Sequence, residues 1–254
     1  MKIICIPDTQ CKKGVDMRHL NALGNYIVDK KPDVVVSIGD HWDMPSLGTH
    51  NDRGHISYEN ARMQDDLEAG TEGMERLLTP LFNYNDNRRR NKQSLYVPRL
   101  VFCRGNHENR RQRLLDQEPI LRGALADFDI ERFGWEDHEF LKPVRIEGVN
   151  FCHYATSGVM QRPVSRAQQI ATNKHESWVV GHQQGLDIYF HPFAKTDGSR
   201  VQCIIAGSFY QHDETYMTPQ GNQHWRGALY LTEAQNGTFD LVTLSISYLL
   251  RNWA

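Results

Sequence analysis

The sequence predicts one compact α/β domain with a helical insertion, and three observations lead to this prediction. Short β-branched runs alternate with segments of helical periodicity over the first 40 residues, which is typical of βαβ units. Strand-like runs return after residue 100, and no repeat, linker or low-complexity tract interrupts them. A length of 254 residues, with 24% charged and 10% aromatic side chains, is typical of a globular chain with a sizeable core. We therefore expect a single domain over residues 1–254.

The first 40 residues predict a strand, a helix and a second strand. Residues 2–7 form a short apolar run that ends in a polar loop. Asp16 can cap the helix that follows, because apolar side chains then recur at helical spacing. Residues 34–38 are a β-branched run of the kind found in sheets that are covered on both faces. The predicted helix has its apolar face at Met17, Leu20, Leu23, Ile27 and Val28.

Residues 44–98 are more polar, and we interpret them as a helical insertion within the domain. A helix is expected around residues 58–78, followed by a solvated loop at the run NYNDNRRRNKQ. The strand pattern resumes at residues 100–103 and leads into another helix through Arg113 and Leu115. The second half of the chain is richer in strands, which we expect at residues 143–146, 149–153, 177–180, 187–190, 201–205, 227–231 and 239–246.

Composition limits the partners and the compartment. A net charge of −2 excludes a generally basic nucleic-acid coat and leaves room for a local basic groove. No apolar run approaches the ~18–20 residues that cross a bilayer, so no membrane partner is expected. Four of the five cysteines lie in apolar strand-like runs and are expected to be buried free thiols, which favours the cytoplasm. Histidine is the one residue type with an unusually high count, 12, which suggests that some of the imidazole side chains have a functional role.

Potential metal ligands follow several of the predicted strands. In sheet-centred α/β folds the carboxyl ends of the strands converge, so these loops are expected to meet in space. A mixed set of oxygen and nitrogen ligands suits Mn, Fe, Zn or Mg better than thiolate-preferring metals. Each motif alone is a common turn, whereas the ordered set is specific. The set comprises Asp8-Thr9-Gln10, Gly39-Asp40-His41-Trp42-Asp43, Gly105-Asn106-His107-Glu108, His153 and Gly181-His182-Gln183-Gln184.

This ordered set resembles the motifs of the calcineurin-like metallophosphoesterases, and the resemblance runs from Asp8 to Gln184. That superfamily includes the Ser/Thr phosphoprotein phosphatases, the Mre11-type nucleases and cyclic-nucleotide phosphodiesterases. The resemblance implies a four-layer αββα sandwich with a two-metal site at one edge. The chain also looks like small phosphoesterases encoded by bacterial viruses, which would place it in the host cytoplasm.

The resemblance also implies a role for each matching residue. Asp40 would bridge two metals, and Asp8 would bind the first of them. His107 would protonate the leaving oxygen or stabilise the phosphoryl charge, and Asp43 would orient that histidine. Arg110 is expected either to bind a phosphate or to lie on a solvated helix face. The remaining ligands would be Asn106, His153 and His182 on the second metal, with Gln10 and Gln184 on the first.

Gln10 and Gln184 stand where members of the superfamily usually have histidine. An amide oxygen is a weaker donor than imidazole and favours harder ions, so we expect a weaker first site. Three outcomes are open: a working site with altered metal preference, a one-metal enzyme, or a site that fills only when substrate bridges it. One or two divalent ions are therefore expected, with Mn favoured over Mg, Fe, Ni or Zn.

The function implied is hydrolysis of phosphate esters by in-line attack of metal-bound hydroxide. A phosphodiesterase acting on nucleic acid or nucleotides is favoured over a protein phosphatase. The reason is that Met44-Pro45 follows the GDHWD motif, where phosphoprotein phosphatases have Arg-Gly. A phosphomonoesterase and a metal-binding module without catalysis are the alternatives. The basic residues 88–92 would contact a nucleic-acid backbone or form an exposed loop.

Overall fold

The computed structural model describes residues 1–48, 59, 61–214 and 217–254. Its α-helices are α1 (Arg18–Lys30), α2 (Met63–Arg90), α3 (Asn109–Gln117), α4 (Ala167–Lys174) and α5 (Ile246–Trp253). Its strands are β1 (Ile3–Ile6), β2 (Val34–Ser37), β3 (Arg99–Cys103), β4 (Glu136–His138), β5 (Val144–Ile146), β6 (Val149–Cys152), β7 (Thr156–Ser157), β8 (Arg162–Pro163), β9 (Ser177–Val180), β10 (Leu186–Phe190), β11 (Gln202–Ala206), β12 (Gly227–Gln235) and β13 (Thr238–Ser245).

Two mixed sheets form the centre of the domain. The first has six strands in the order β13-β12-β1-β2-β3-β4, and the run from β1 to β4 is parallel. The second has five strands in the order β10-β11-β9-β6-β5, with β6, β9 and β11 parallel. Strands β7 and β8 form a separate small hairpin. Polar loops follow the carboxyl ends of five of these parallel strands, namely β1, β2, β3, β6 and β9. These loops can therefore meet in space.

The two sheets pack face to face, and helices cover their outer faces. Ile3 and Val36 of the first sheet share one buried cluster with Phe151 and Val179 of the second. The outer face of the first sheet packs against apolar side chains of α1, α2 and α5. The outer face of the second packs against α4, where Ile170 is fully buried. These layers confirm the predicted α/β class and the αββα sandwich that the family resemblance implies.

The insertion differs from its predicted form. The start expected near Tyr58 lies outside the described residues, and α2 continues to Arg90 through the segment that was expected to be a loop. That loop prediction is wrong, because the last turns of α2 are polar and show no apolar period, yet local contacts hold them. The side chain of Asn85 bonds both backbone groups of Tyr96 at 2.7 and 2.9 Å. Arg89 pairs with Asp86 three residues earlier.

Pro80 lies inside α2 without ending it. A proline removes one backbone N–H from the helix and leaves the carbonyl four residues earlier without its helical donor. That carbonyl belongs to Arg76, and the side-chain amide of Asn21 on α1 donates to it at 3.5 Å. Packing of α1 against α2 therefore compensates for the interruption, and helix α2 remains continuous.

Short elements account for most other differences between prediction and structure. Strand β4 and helix α4 were not predicted, and the strand expected over residues 239–246 ends at Ser245, where α5 begins. The backbone N–H of Tyr248 donates to the Ser245 hydroxyl at 3.2 Å, which caps α5. A Ser before a short apolar run was therefore the signal for this helix.

The cysteine prediction is confirmed, since all five thiols are free and buried. No helix in the described parts of the chain is both long enough and apolar enough to cross a membrane.

Candidate metal centre

The loops after the parallel strands bring the predicted ligands to one edge of the sandwich. Asp8 follows β1, Asp40 follows β2, and His153 follows β6. Three of the predicted ligands have left-handed backbone conformations, with φ of +40° at Gln10, +51° at Asp40 and +68° at His182. Such conformations are costly for residues with a β-carbon and cluster at functional sites. The sharp turns at these strand ends are therefore part of how the site is built.

Two glycines permit the close approach of backbone and carboxylate. A β-carbon on Gly105 would lie 2.1 Å from Asp40 Oδ1, and one on Gly181 would lie 2.5 Å from Asp8 Oδ1. Both distances are shorter than any van der Waals contact, so a larger residue at either position would displace the carboxylate.

Asp40, His153 and His182 form a cluster that can hold a metal ion. One ligand atom from each lies within 4.8 Å of the others. His153 Nε2 lies 3.3 Å from Asp40 Oδ2 and 2.8 Å from Asn106 Oδ1. Carboxylate, amide and imidazole donors therefore converge on one point, and together they are the second-metal set that the resemblance implied.

Charges inside this cluster compensate each other. Burial alone would raise the pKa of Asp40, but the positive charges of His107 and His153 outweigh it and lower that pKa. Burial would lower the pKa of His153, but the negative charge of Asp40 raises it to about 9. The two residues thus form a buried ion pair in the absence of a metal, and a bound cation would replace the proton on His153.

The other ring nitrogen of His153 fixes the orientation of the ring. Nδ1 donates to the backbone carbonyl of Ile38 at 2.8 Å, so Nε2 is the nitrogen directed into the cluster. Metal-binding histidines commonly have their second ring nitrogen on a carbonyl or carboxylate in this way. His153 therefore has the geometry of a ligand.

Asp8 is surrounded by amides rather than imidazoles. Its Oδ1 accepts from the backbone N–H of His182 at 3.2 Å, and its Oδ2 accepts from Gln184 Nε2 at 3.2 Å. The Gln184 Oε1 atom accepts from the Tyr210 hydroxyl at 3.0 Å. Complete burial raises the pKa of Asp8 to about 7.

The side chain of Gln184 therefore has a different contact from the predicted one. The amide nitrogen of Gln184 faces Asp8, and its carbonyl oxygen accepts from the Tyr210 hydroxyl. Metal binding through that oxygen would require the amide to turn over. The ligand role of Gln184 stays a prediction.

Gln10 provides the observation that tests whether the first site fits a cation. Its side chain is 1% exposed, and its Oε1 atom is buried without a hydrogen-bond partner among the described residues. A buried carbonyl oxygen without a donor costs free energy unless a cation or another donor occupies the space beside it. Asp8 and Gln10 thus offer oxygen donors of the kind that a divalent cation takes.

His107 lies beside the cluster, between two carboxylates. Its Nδ1 is 3.0 Å from Asp43 Oδ1, and its Nε2 is 3.5 Å from Asp40 Oδ2. Burial would lower the pKa of His107, but the charge of Asp40 and the contact with Asp43 raise it. A histidine with a raised pKa next to the cluster is suited to donating a proton.

Glu108 lies at the site but has no role in the family pattern that the motifs resemble. Its buried carboxylate accepts four backbone N–H groups, from Asp40 and Gly105 on Oε2 and from His41 and Trp42 on Oε1, at 2.7 to 3.0 Å. This carboxylate ties the loop after β2 to the loop after β3. Its position directly after His107 in the motif was the only sequence signal.

Arg110 holds the same loop from the outside. One guanidinium nitrogen donates to the backbone carbonyls of Asp43 and Met44 at 2.7 and 3.1 Å. The side chain is half-buried, so the expected solvated helix face is wrong for this residue. Its predicted contact with a phosphate stays a prediction.

Aromatic side chains border the cluster next to His182. The ring of Tyr154 lies 4.8 Å from the ring of His182, and Phe140 packs edge-on against Tyr154 at 5.5 Å. Both aromatic residues are partly exposed. The wall of the site therefore offers aromatic surface as well as charge.

Comparison with known proteins finds no matching family model and no matching curated protein. Among solved structures, the chain is similar to YfcE, a phosphoesterase from E. coli, with a TM-score of 0.42 and 14% identity over 96% of this chain and 100% of that chain. It is also similar to a conserved protein of Streptococcus pneumoniae described as a predicted phosphoesterase, with a TM-score of 0.38 and 10% identity over 97% and 90% of the two chains. At these values neither likeness assigns a function to this chain.

Proposed function

We propose that the chain is a metal-dependent phosphoesterase of the calcineurin-like type, and more specifically a phosphodiesterase acting on nucleic acid or nucleotides. One observation carries the proposal: a cluster of Asp40, His153 and His182 that is able to hold a metal ion lies directly beside His107, which is itself in contact with Asp43. Phosphoryl transfer needs charge stabilisation at phosphorus and a proton for the leaving oxygen. The cluster and the histidine supply these two requirements side by side.

Asp40, Asn106, His153 and His182 would hold one cation, and Asp8 with Gln10 would hold a second. A bound divalent cation supplies Lewis-acid stabilisation of phosphate oxygens and activation of water. The donor set of carboxylate, amide and imidazole favours Mn²⁺.

The chain's own residues do the rest. His107, whose pKa is raised by its two carboxylate neighbours, delivers a proton to the departing oxygen. Asp43 keeps the imidazole oriented, and Glu108 keeps the Asp40 loop from moving away. Burial of these groups excludes water from the carboxylates and strengthens each contact.

The aromatic border supports a nucleotide or nucleic-acid substrate. Tyr154 and Phe140 lie next to the cluster and are partly exposed, so a nucleobase attached to the bound phosphate could stack on them. The buried free thiols suit a reducing compartment, which supports a cytoplasmic location.

The test is hydrolysis of bis(4-nitrophenyl) phosphate by purified protein with added Mn²⁺. We expect turnover, a loss of about 100-fold or more in kcat for His107→Ala, and unchanged metal content in that variant. His191→Ala, which changes an exposed histidine, is the matched control and should keep the wild-type rate. Absence of turnover with Mn, Mg, Ni, Co and Zn would reject the enzyme and leave a metal-binding module.

The same assay with 4-nitrophenyl phosphate separates the two kinds of esterase. A diesterase shows the higher kcat/KM on the diester. A higher kcat/KM on the monoester would replace the proposal by a phosphomonoesterase.

A further inference from the structure

A chain of alternating charges links the predicted proton donor to a segment far away in the sequence. His107 contacts Asp43, and Lys12 Nζ lies 3.5 Å from the other carboxylate oxygen of Asp43. The same Lys12 ammonium donates to Glu214 Oε1 at 2.7 Å, across 202 residues of sequence. His212 Nε2 lies 2.6 Å from that Glu214 oxygen. Neither Lys12 nor Glu214 belongs to the motif set.

Backbone pairing keeps Lys12 beside Asp43. The backbone N–H of Cys11 donates to the carbonyl of His41 at 2.7 Å, and that of Asp43 donates to the carbonyl of Cys11 at 3.2 Å. These two bonds hold the loop after β1 alongside the loop after β2. The side chain of Lys12 is 23% exposed, so it is mostly withdrawn from solvent.

The segment that carries Glu214 is equally well held. Asn222 bonds both backbone groups of Glu214, accepting from its N–H at 2.9 Å and donating to its carbonyl at 3.0 Å. Arg226 then donates to the carbonyl of Asn222 at 2.9 Å. The Glu214 side chain is 6% exposed, and ordering a carboxylate so far from solvent requires a partner of opposite charge.

We propose that Lys12 and Glu214 are positioning residues that hold Asp43 against His107. Lys12 neutralises part of the charge of Asp43 and fixes its carboxylate plane, while Glu214 prevents Lys12 from turning into solvent or onto the substrate. This inference rests on the proposed function, because its consequence is the delivery of a proton by His107.

Direct binding of phosphate by Lys12 is the main competing explanation. An ammonium that already lies between two carboxylates has little net positive charge left for a third anion. A phosphate-binding lysine would raise KM when it is lost. A positioning lysine lowers kcat, and the loss is greatest for leaving groups that most need a proton.

The test compares Lys12→Met with Lys13→Met on two diesters. Lys13 also pairs with an acid, Asp65, at 3.1 Å, but its side chain is 73% exposed, so it is a matched control. For Lys12→Met we expect kcat to fall about 3-fold on bis(4-nitrophenyl) phosphate and about 30-fold on diphenyl phosphate, whose leaving group is far more basic. KM and metal content should not change, and Lys13→Met should match the wild type.

Glu214→Gln provides a second variant if Lys12→Met does not fold. It should show the same dependence on the leaving group with a smaller loss, about 10-fold on diphenyl phosphate, because the amide oxygen still accepts from Lys12. An equal loss on both diesters, or a raised KM with unchanged kcat, would overturn the proposal.

A crystal structure of metal-free Lys12→Met gives a result that does not depend on activity. We expect the distance between Asp43 Oδ1 and His107 Nδ1 to increase from 3.0 Å to beyond hydrogen-bond reach. An unchanged distance would overturn the positioning role. A wild-type protein without activity on either diester would instead reject the proposed function, and the structural comparison would still decide the positioning role.

Discussion

The two halves of the candidate metal centre compensate their charges in different ways. The imidazole half, consisting of Asn106, His153 and His182, brings two rings and an amide oxygen towards Asp40. The amide half, consisting of Asp8, Gln10 and Gln184, surrounds its carboxylate with amide N–H groups and leaves one amide oxygen without a partner in the described parts of the chain. The imidazole half therefore already brings possible ligands within reach of one cation, whereas the Gln184 amide would have to turn over before its oxygen could serve as a ligand.

This difference shows how protonation and metal binding compete in the two halves. In the imidazole half the proton on His153 stands in for a cation beside Asp40. In the amide half burial raises the pKa of Asp8, so the carboxylate is the group that holds a proton near neutral pH. We therefore expect metal binding to release a proton and to depend on pH in both halves, and to be tight in the first half, which has imidazole donors, and weak in the second.

The largest expected effect separates the halves by metal affinity. His153→Ala removes a ligand of the imidazole half and should weaken Mn²⁺ binding ~1000-fold, which corresponds to about 4 kcal/mol. Gln10→Ala removes a weaker donor from the amide half and should weaken binding at the tighter site less than about threefold. Titration calorimetry on both variants measures the two losses, and similar losses would contradict the distinction between the halves.

Glu108→Gln should disturb both halves at once. In the wild type, backbone N–H groups donate to the Glu108 carboxylate, and the variant places an amide NH₂ group opposite some of them. Because donors then face donors, the substitution should lower the free energy of unfolding by about 4 kcal/mol. Urea unfolding of metal-free protein measures the change. Glu118→Gln, at an exposed position, is the control; a loss there as large as at position 108 would contradict the explanation.

Acid should weaken the support of the amide half through His19. His19 donates from Nε2 to the carbonyl of Phe209 at 2.9 Å, and the N–H of Phe209 donates to the carbonyl of Asp8 at 2.8 Å. Burial lowers the pKa of His19 to about 4. Between pH 6.5 and 4 the unfolded chain therefore binds the extra proton, and the free energy of unfolding falls as the pH falls.

His19 contributes about 3 kcal/mol to the fall in the free energy of unfolding between pH 7 and pH 4. His19→Gln should remove this contribution. Chemical unfolding of metal-free protein at both pH values measures it. His191→Gln, at an exposed histidine, should leave the difference unchanged. An undiminished difference in His19→Gln would show that other groups carry the acid sensitivity.

The smallest expected effect would make the two halves alike. The double variant Gln10→His/Gln184→His restores imidazoles to the amide half and should tighten binding of its metal about tenfold. Gln183→His changes the neighbouring glutamine and serves as the control. Elemental analysis together with titration calorimetry gives stoichiometry and affinity, and no change in either would show that Gln10 and Gln184 are not ligands.

Much of the fold and of the site could be predicted because the signals are local. The β-branched run at residues 34–38 and the polar loop after it identify both a buried strand and the position of Asp40. The last turns of α2 could not be predicted in this way. Their stability comes from pairs such as Asn85 with Tyr96 rather than from an apolar period.

The sequence by itself determined the α/β class, the order of the strand-end motifs and the oxygen and nitrogen chemistry of the predicted ligands. Only the tertiary structure decided that Gln184 faces Asp8 with its nitrogen, that Glu108 joins two loops, and that Glu214 reaches Lys12. The physical reason is the distance along the chain over which each kind of interaction acts. Periodicity and turn residues act over a few positions, whereas the direction of an amide or the partner of a buried charge depends on groups that packing brings together from distant parts of the chain.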